Sequence, residues 1–112
     1  MEEILRILLS LGTPVYHLEA ERNAKPPYLV YQEISQGEVL SADNSQDEYA
    51  VTGTVDIFSK NGKEPLVRKL REAFDENEIS FWVKSVQYEE DTGLIHTEFE
   101  FDAIGGEDGC PL

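Results

Sequence analysis

Cysteine is nearly absent from this 112-residue chain: Cys110 stands alone, so no disulfide can form within it. Its stability must come from a packed core, and such a chain suits a reducing compartment. Positive charge is scarce too, with 9 Lys and Arg against 23 Asp and Glu and a formal net charge of −14. Such acidity disfavours unaided binding to nucleic acid or anionic membranes, because Lys and Arg contacts to phosphate supply most of that affinity. It favours solubility, and it requires any self-assembly to bring complementary charges together or to overcome repulsion. Long apolar runs are also missing, and nothing approaches the roughly 20 residues that a membrane-spanning helix requires. The opening "EEILRILLSLG" starts acidic and carries only a short apolar run, unlike a signal peptide. The expectation is a soluble intracellular protein of one domain, long enough to bury a modest core.

Catalytic and metal-binding patterns are missing as well. His17 and His96 are the only histidines and neither sits in a motif, so two strand-edge imidazoles is the simpler reading of them. Cys110 has no basic neighbour in sequence to lower its pKa. "DNSQDE" places Asp43, Ser45 and Asp47 at alternate positions, as a calcium loop does. Glu48 then stands where such a loop needs glycine and Thr54 where it needs glutamate, so a solvated acidic loop is the better reading. "GGEDG" lacks the Lys-Ser/Thr ending of a phosphate loop, and no serine lies in a G-x-S-x-G turn. Neither an enzyme nor a cofactor is expected.

What is present is regular patterning. In "EEILRILLSLG" the residues Ile4, Leu5, Leu8, Leu9 and Leu11 predict one broad helical face, with Glu3, Arg6 and Ser10 turned away. Gly12 and Pro14 end that helix. "VYHLEA", residues 15–20, reads as a short strand. Pro26 and Pro27 predict an extended, polyproline-like approach to the strand "YLVYQEI", whose two faces both begin apolar. Residues 35–48 are polar and loop-like. "YAVTGTVDIFSK" is the cleanest alternating strand, with Val51, Gly53, Val55 and Ile57 on one face. A second helix begins at Pro65 and repeats Leu66, Val67, Leu70, Ala73 and Phe74 on one face; Arg68, Lys69 and Arg71 form the one basic cluster of the sequence. "ISFWVKSVQYEED" and "LIHTEFEFDA" read as a hairpin turning at "EEDTG". Ile95, Thr97, Phe99 and Phe101 face in, while Glu98, Glu100 and Asp102 make a solvent-facing acidic row beside His96. The expected fold is an α+β two-layer sandwich, a largely antiparallel sheet with two helices on one face, over residues 1–103 with a flexible tail at 104–112.

This order resembles the tail-terminator, or tail-completion, family of long-tailed bacteriophages and prophages. The residues that carry the resemblance are "ILRILLSLG", "PVYHLEA", "KPPYLVYQEIS", "YAVTGTVDIFSKN" leading into "EPLVRKLREAF", and "GLIHTEFEFDA". The resemblance implies a non-catalytic virion protein that caps the tail tube as a ring, usually a hexamer. It would end tube polymerisation and form the head–tail joining surface. Its partners would be further copies of itself, the tail tube protein and the head–tail connector, with no sequence-specific binding of nucleic acid and no membrane. It would act in the bacterial host cytoplasm during assembly and reside in the virion neck. Glu98, Glu100 and Asp102 would then line an acidic lumen through which DNA slides. Arg68, Lys69 and Arg71, together with Asp43, Asn44, Gln46 and Asp47 of the polar loop, would be subunit or partner contacts. Two other classes compete with this reading. One is an acidic inhibitor that mimics nucleic acid, favoured by the net charge. The other is a small-ligand or metal-binding α+β domain built on His17, His96 and nearby carboxylates.

Overall fold

The computed structural model describes residues 2–39, 49–61 and 64–105. Helix α1 (Glu2–Leu9) leads into strand β1 (Val15–His17), then β2 (Tyr28–Val39) and β3 (Tyr49–Ser59). Helix α2 (Pro65–Glu76), β4 (Ser80–Glu89) and β5 (Leu94–Gly105) complete the order. One five-stranded sheet runs β1-β2-β3-β5-β4. Among the described residues only the β1–β2 pair is parallel. Strands β3 and β4 both run antiparallel to β5 and so parallel to one another, with α2 as the crossover and β5 inserted between them.

Both helices form where the sequence places them. Pro65 occupies the first turn of α2, where its missing N–H costs no hydrogen bond, and the Glu64 side chain accepts the Leu66 N–H. Leu66, Leu70 and Phe74 are buried, with Val67 and Ala73 packed beside them. The chain leaves α2 through a bond from Ile79 N–H to the Phe74 carbonyl, with Glu78 in the left-handed region at φ 57°. In α1 the buried stripe is Ile4, Ile7 and Leu8 with Leu11 beside it, and Leu9 is exposed. That corrects the broader face read from the sequence. Ile7, Leu8 and Leu9 run consecutively, so hydropathy gives no contrast for which of them point inward.

One core lies between the helices and the sheet. Leu29, Val51, Val55, Ile57, Phe99, Phe101 and Ala103 face the helices, with Phe81 and Val83 packed at the β4 side. Alternation along β3 and β5 explains why these residues share one face, since Val55 pairs with Phe99 and Gly53 with Phe101. The four phenylalanines cluster, with ring centroids 5.4 Å apart for Phe74 and Phe81, 6.0 Å for Phe74 and Phe101, and 5.9 Å for Phe81 and Phe99. The sheet face of this packing depends on Gly53. A Cβ at that position would lie 2.6 Å from the Gln32 carbonyl oxygen and 2.6 Å from Phe101 Cζ.

Three further features differ from expectation. Strand β2 runs to Val39, with Gln36 paired to Val51 and Val39 to Tyr49, so the polar segment begins as strand rather than loop. Ladder hydrogen bonds and irregular register between Glu33 and Ser35 accommodate polar residues there that composition alone assigns to a loop. Asp43, Asn44, Gln46 and Asp47 lie outside the described residues. The Pro26–Pro27 peptide bond is cis, in place of the polyproline-like approach. Finally, β5 runs to Gly105, two residues past the expected domain end, because Ile104 and Gly105 pair with Ala50 and Tyr49. Cys110 lies beyond the described residues. The hairpin turn is as expected: Gly93 has φ +72° and its N–H bonds to the Glu89 carbonyl.

Gly53→Ala is expected to destabilise the fold by about 1–3 kcal/mol, the range for overpacking a filled core. Urea unfolding of the variant beside the parent protein checks this, and equal midpoints would contradict it.

Candidate assembly face

The helices cover one side of the sheet, and strand alternation sends a second set of side chains to the other. Across that open face the ladder aligns Tyr28, Phe58, His96 and Gln87 in one row and Val30, Asp56, Glu98 and Ser85 in the next. Below them lie Gln32, Thr54, Glu100 and Trp82, with Thr52 beside Asp102. Glu98, Glu100 and Asp102 therefore share the open face, as the alternation predicts. Local partners hold them. Lys84 Nζ stands 3.2 Å from Glu100 Oε1, Ser85 Oγ 3.5 Å from Glu98 Oε1, and the Thr52 hydroxyl donates to Asp102 Oδ1 at 2.8 Å. Lys84 reaches Glu100 from the bulge where β4 shifts register between Val83 and Ser85.

At one end of this face four rings stack into a row that sequence reading did not identify. Tyr16 meets Tyr28 edge to face at 5.8 Å. Tyr28 stacks on Phe58 at 5.0 Å, and Phe58 on His96 at 4.4 Å. His96 Nε2 stands 3.0 Å from Asp56 Oδ1 and its Nδ1 3.4 Å from Glu89 Oε2. The Asp56 contact is close enough for an ion pair but misaligned for a hydrogen bond, and both of its atoms are buried. The short contact with Asp56 raises the imidazole above its ordinary pKa. Burial opposes it, and the charges of Asp56, Glu89 and Glu98 reinforce it. Burial and the charge of Glu89 push the Tyr28 hydroxyl upward as well.

His17 lies elsewhere. It belongs to edge strand β1 and pairs in register with Tyr31, which packs against the helix-side core. Its ring stacks on Tyr31 at 4.7 Å and its Nε2 contacts Glu33 Oε1 at 2.7 Å. Burial works to raise the Glu33 carboxyl, but hydrogen bonds from His17 and from its own backbone, with the nearby imidazole charge, hold it below the ordinary value. The fold thus separates the two histidines onto opposite faces. No group of three or more His, Cys, Asp or Glu among the described residues could hold a metal ion. Arg68, Lys69 and Arg71 project from α2 on the helix layer, all exposed, with Arg68 3.4 Å from Glu72 one turn on. No helix of the described residues is long and apolar enough to cross a membrane.

His96 makes stability depend on pH with a definite sign. Its pKa is raised in the folded state, so its contribution is complete below the unfolded value of about 6.5 and is lost as pH rises through the folded value. Stability should therefore decline as pH rises from below about 6.5 through the folded value. His96→Gln should flatten that decline and cost about 1 kcal/mol at pH 6, the upper end for a partly exposed ion pair. Thermal unfolding of both proteins across that range checks it, and a decline of equal slope in the variant would rule His96 out as the cause.

No family model matches the chain, and no curated protein matches its sequence.

Proposed function

We propose that this chain is a structural assembly protein of the phage tail-terminator kind, working as a ring that caps a tail tube and presents the surface for joining the head. The observation that carries this reading is the acidic row on the open sheet face, with one basic cluster on α2 behind it. Glu98, Glu100 and Asp102 occupy the open sheet face, while Arg68, Lys69 and Arg71 stand on α2 behind it. A ring that turns the open face inward presents carboxylates to DNA passing through it, so the polyanion meets repulsion instead of adhesive sites. The helix layer then offers its basic side chains to acidic surfaces of neighbouring subunits, the tube or the connector. Such a protein acts in the bacterial host cytoplasm during assembly and remains in the virion neck.

The nucleic-acid mimic has less support. Its carboxylates would have to face a basic partner freely, whereas Glu100 is paired with Lys84, and Thr52 and Ser85 hydrogen-bond Asp102 and Glu98. A ligand-binding reading that uses both histidines is opposed by their separation on different faces.

Two measurements test the proposal. Sequencing the DNA that flanks the gene should find a portal or connector gene on one side and a tube or tape-measure gene on the other; flanks without virion genes would sink it. Joint replacement of Arg68, Lys69 and Arg71 by Glu should leave the fold intact and reduce capping of tail tubes in electron micrographs, giving overlong tubes. Unchanged tube lengths would reduce the basic cluster to a solvated helix face.

A further inference from the structure

The sheet has two unpaired edges of different character. Among the described residues β4 pairs only with β5, and its outer backbone groups have no strand partner. The register shift between Val83 and Ser85 interrupts that edge, but the stretch from Ser85 to Glu89 beyond it is continuous. Two large apolar side chains are exposed there, Val86 at 63% and Tyr88 at 65%. Beside them, between β4, β5 and α2, lies a depression of about 140 Å³ lined by Val67, Val83, Val86, Ile95 and Arg71 among others. Among the described residues no carboxylate pairs with Arg71, in a chain whose net charge is −14.

The opposite edge is β1, only Val15–His17, paired on one side with β2. Leu18 follows in the left-handed region at φ 74°, still bonded through its N–H to the Tyr31 carbonyl, with its side chain 61% exposed. Exposed Glu19 and Glu21 come next. One edge therefore offers an isolated apolar side chain beside carboxylates, and the other offers an apolar depression beside an arginine.

We propose that these edges are complementary between copies of the chain, with the β1 edge and Leu18 of one copy docking on the β4 edge and the Arg71 depression of the next. The proposal deepens the ring reading and rests on it for its biological setting. A contact between unlike edges is heterologous, and repetition closes it into a ring when the rotation between copies allows. The continuous part of β4 is long enough for a strand as short as β1. Both edges belong to the same sheet, so the acidic open face continues from copy to copy.

The test uses the full chain with Cys110 replaced by Ser and cysteines introduced as Leu18→Cys and Val86→Cys together. Mild oxidation should give a ladder of multimers that collapses on reduction. Adding Arg71→Glu should lower the ladder yield by about tenfold, as loss of an interfacial charge pair does, and Glu19→Lys should restore it. Absence of a ladder overturns the proposal. So does self-linking of the Val86→Cys variant alone, which would show β4 pairing with β4 in a two-fold dimer. Tubes capped by a chain whose 18 and 86 positions never link overturn the edge contact alone. A ladder from a chain that caps no tube leaves the contact standing and sinks the tail reading.

Discussion

The Phe101 ring lies directly on the backbone of β3 at Gly53, and much of the fold depends on that contact. Only a residue without a Cβ permits it, since a methyl group there would sit 2.6 Å from both the ring and the Gln32 carbonyl oxygen. With the ring seated this low, Phe74 of α2 can descend onto Phe101 and Phe81, and the helix layer closes over the central strands β3 and β5. Burying the four phenylalanines is a large share of what the core contributes, because aromatic side chains remove the most apolar surface from water.

The same alternation that turns Phe99 and Phe101 inward turns Glu98, Glu100 and Asp102 outward. Among the described residues the helices lie on one side of the sheet, and these carboxylates stand on the other. Their mutual repulsion is reduced locally by Lys84, Thr52, Ser85 and the raised imidazole of His96, not by distant counter-charge. The basic side chains of α2 are held away from them on the other layer.

Some of this was legible residue by residue. Pro65 and the spacing of Leu66, Leu70 and Phe74 marked α2 because first-turn proline and a 3.6-residue repeat are local properties. The alternation of β3 and β5 marked which of their side chains enter the core, and "EEDTG" marked the hairpin through Gly93. Other features were not legible. Ile7 rather than Leu9 enters the core of α1, since a run of aliphatic residues has no contrast. The extension of β2 to Val39 depends on ladder pairing with β3, which polar composition hides.

Chemistry and period, written along the chain, determined the α+β class, the two helices, the inward phenylalanines and the outward acidic row. Tertiary structure alone decided the strand order, the parallel β1–β2 pair, the stacked row Tyr16–Tyr28–Phe58–His96 and the placement of Asp56 and Glu89 around one imidazole. The physical reason is range. Helical and strand patterning arise from residues a few positions apart, whereas register and strand order join residues such as Tyr28, Phe58 and His96 that no local rule connects.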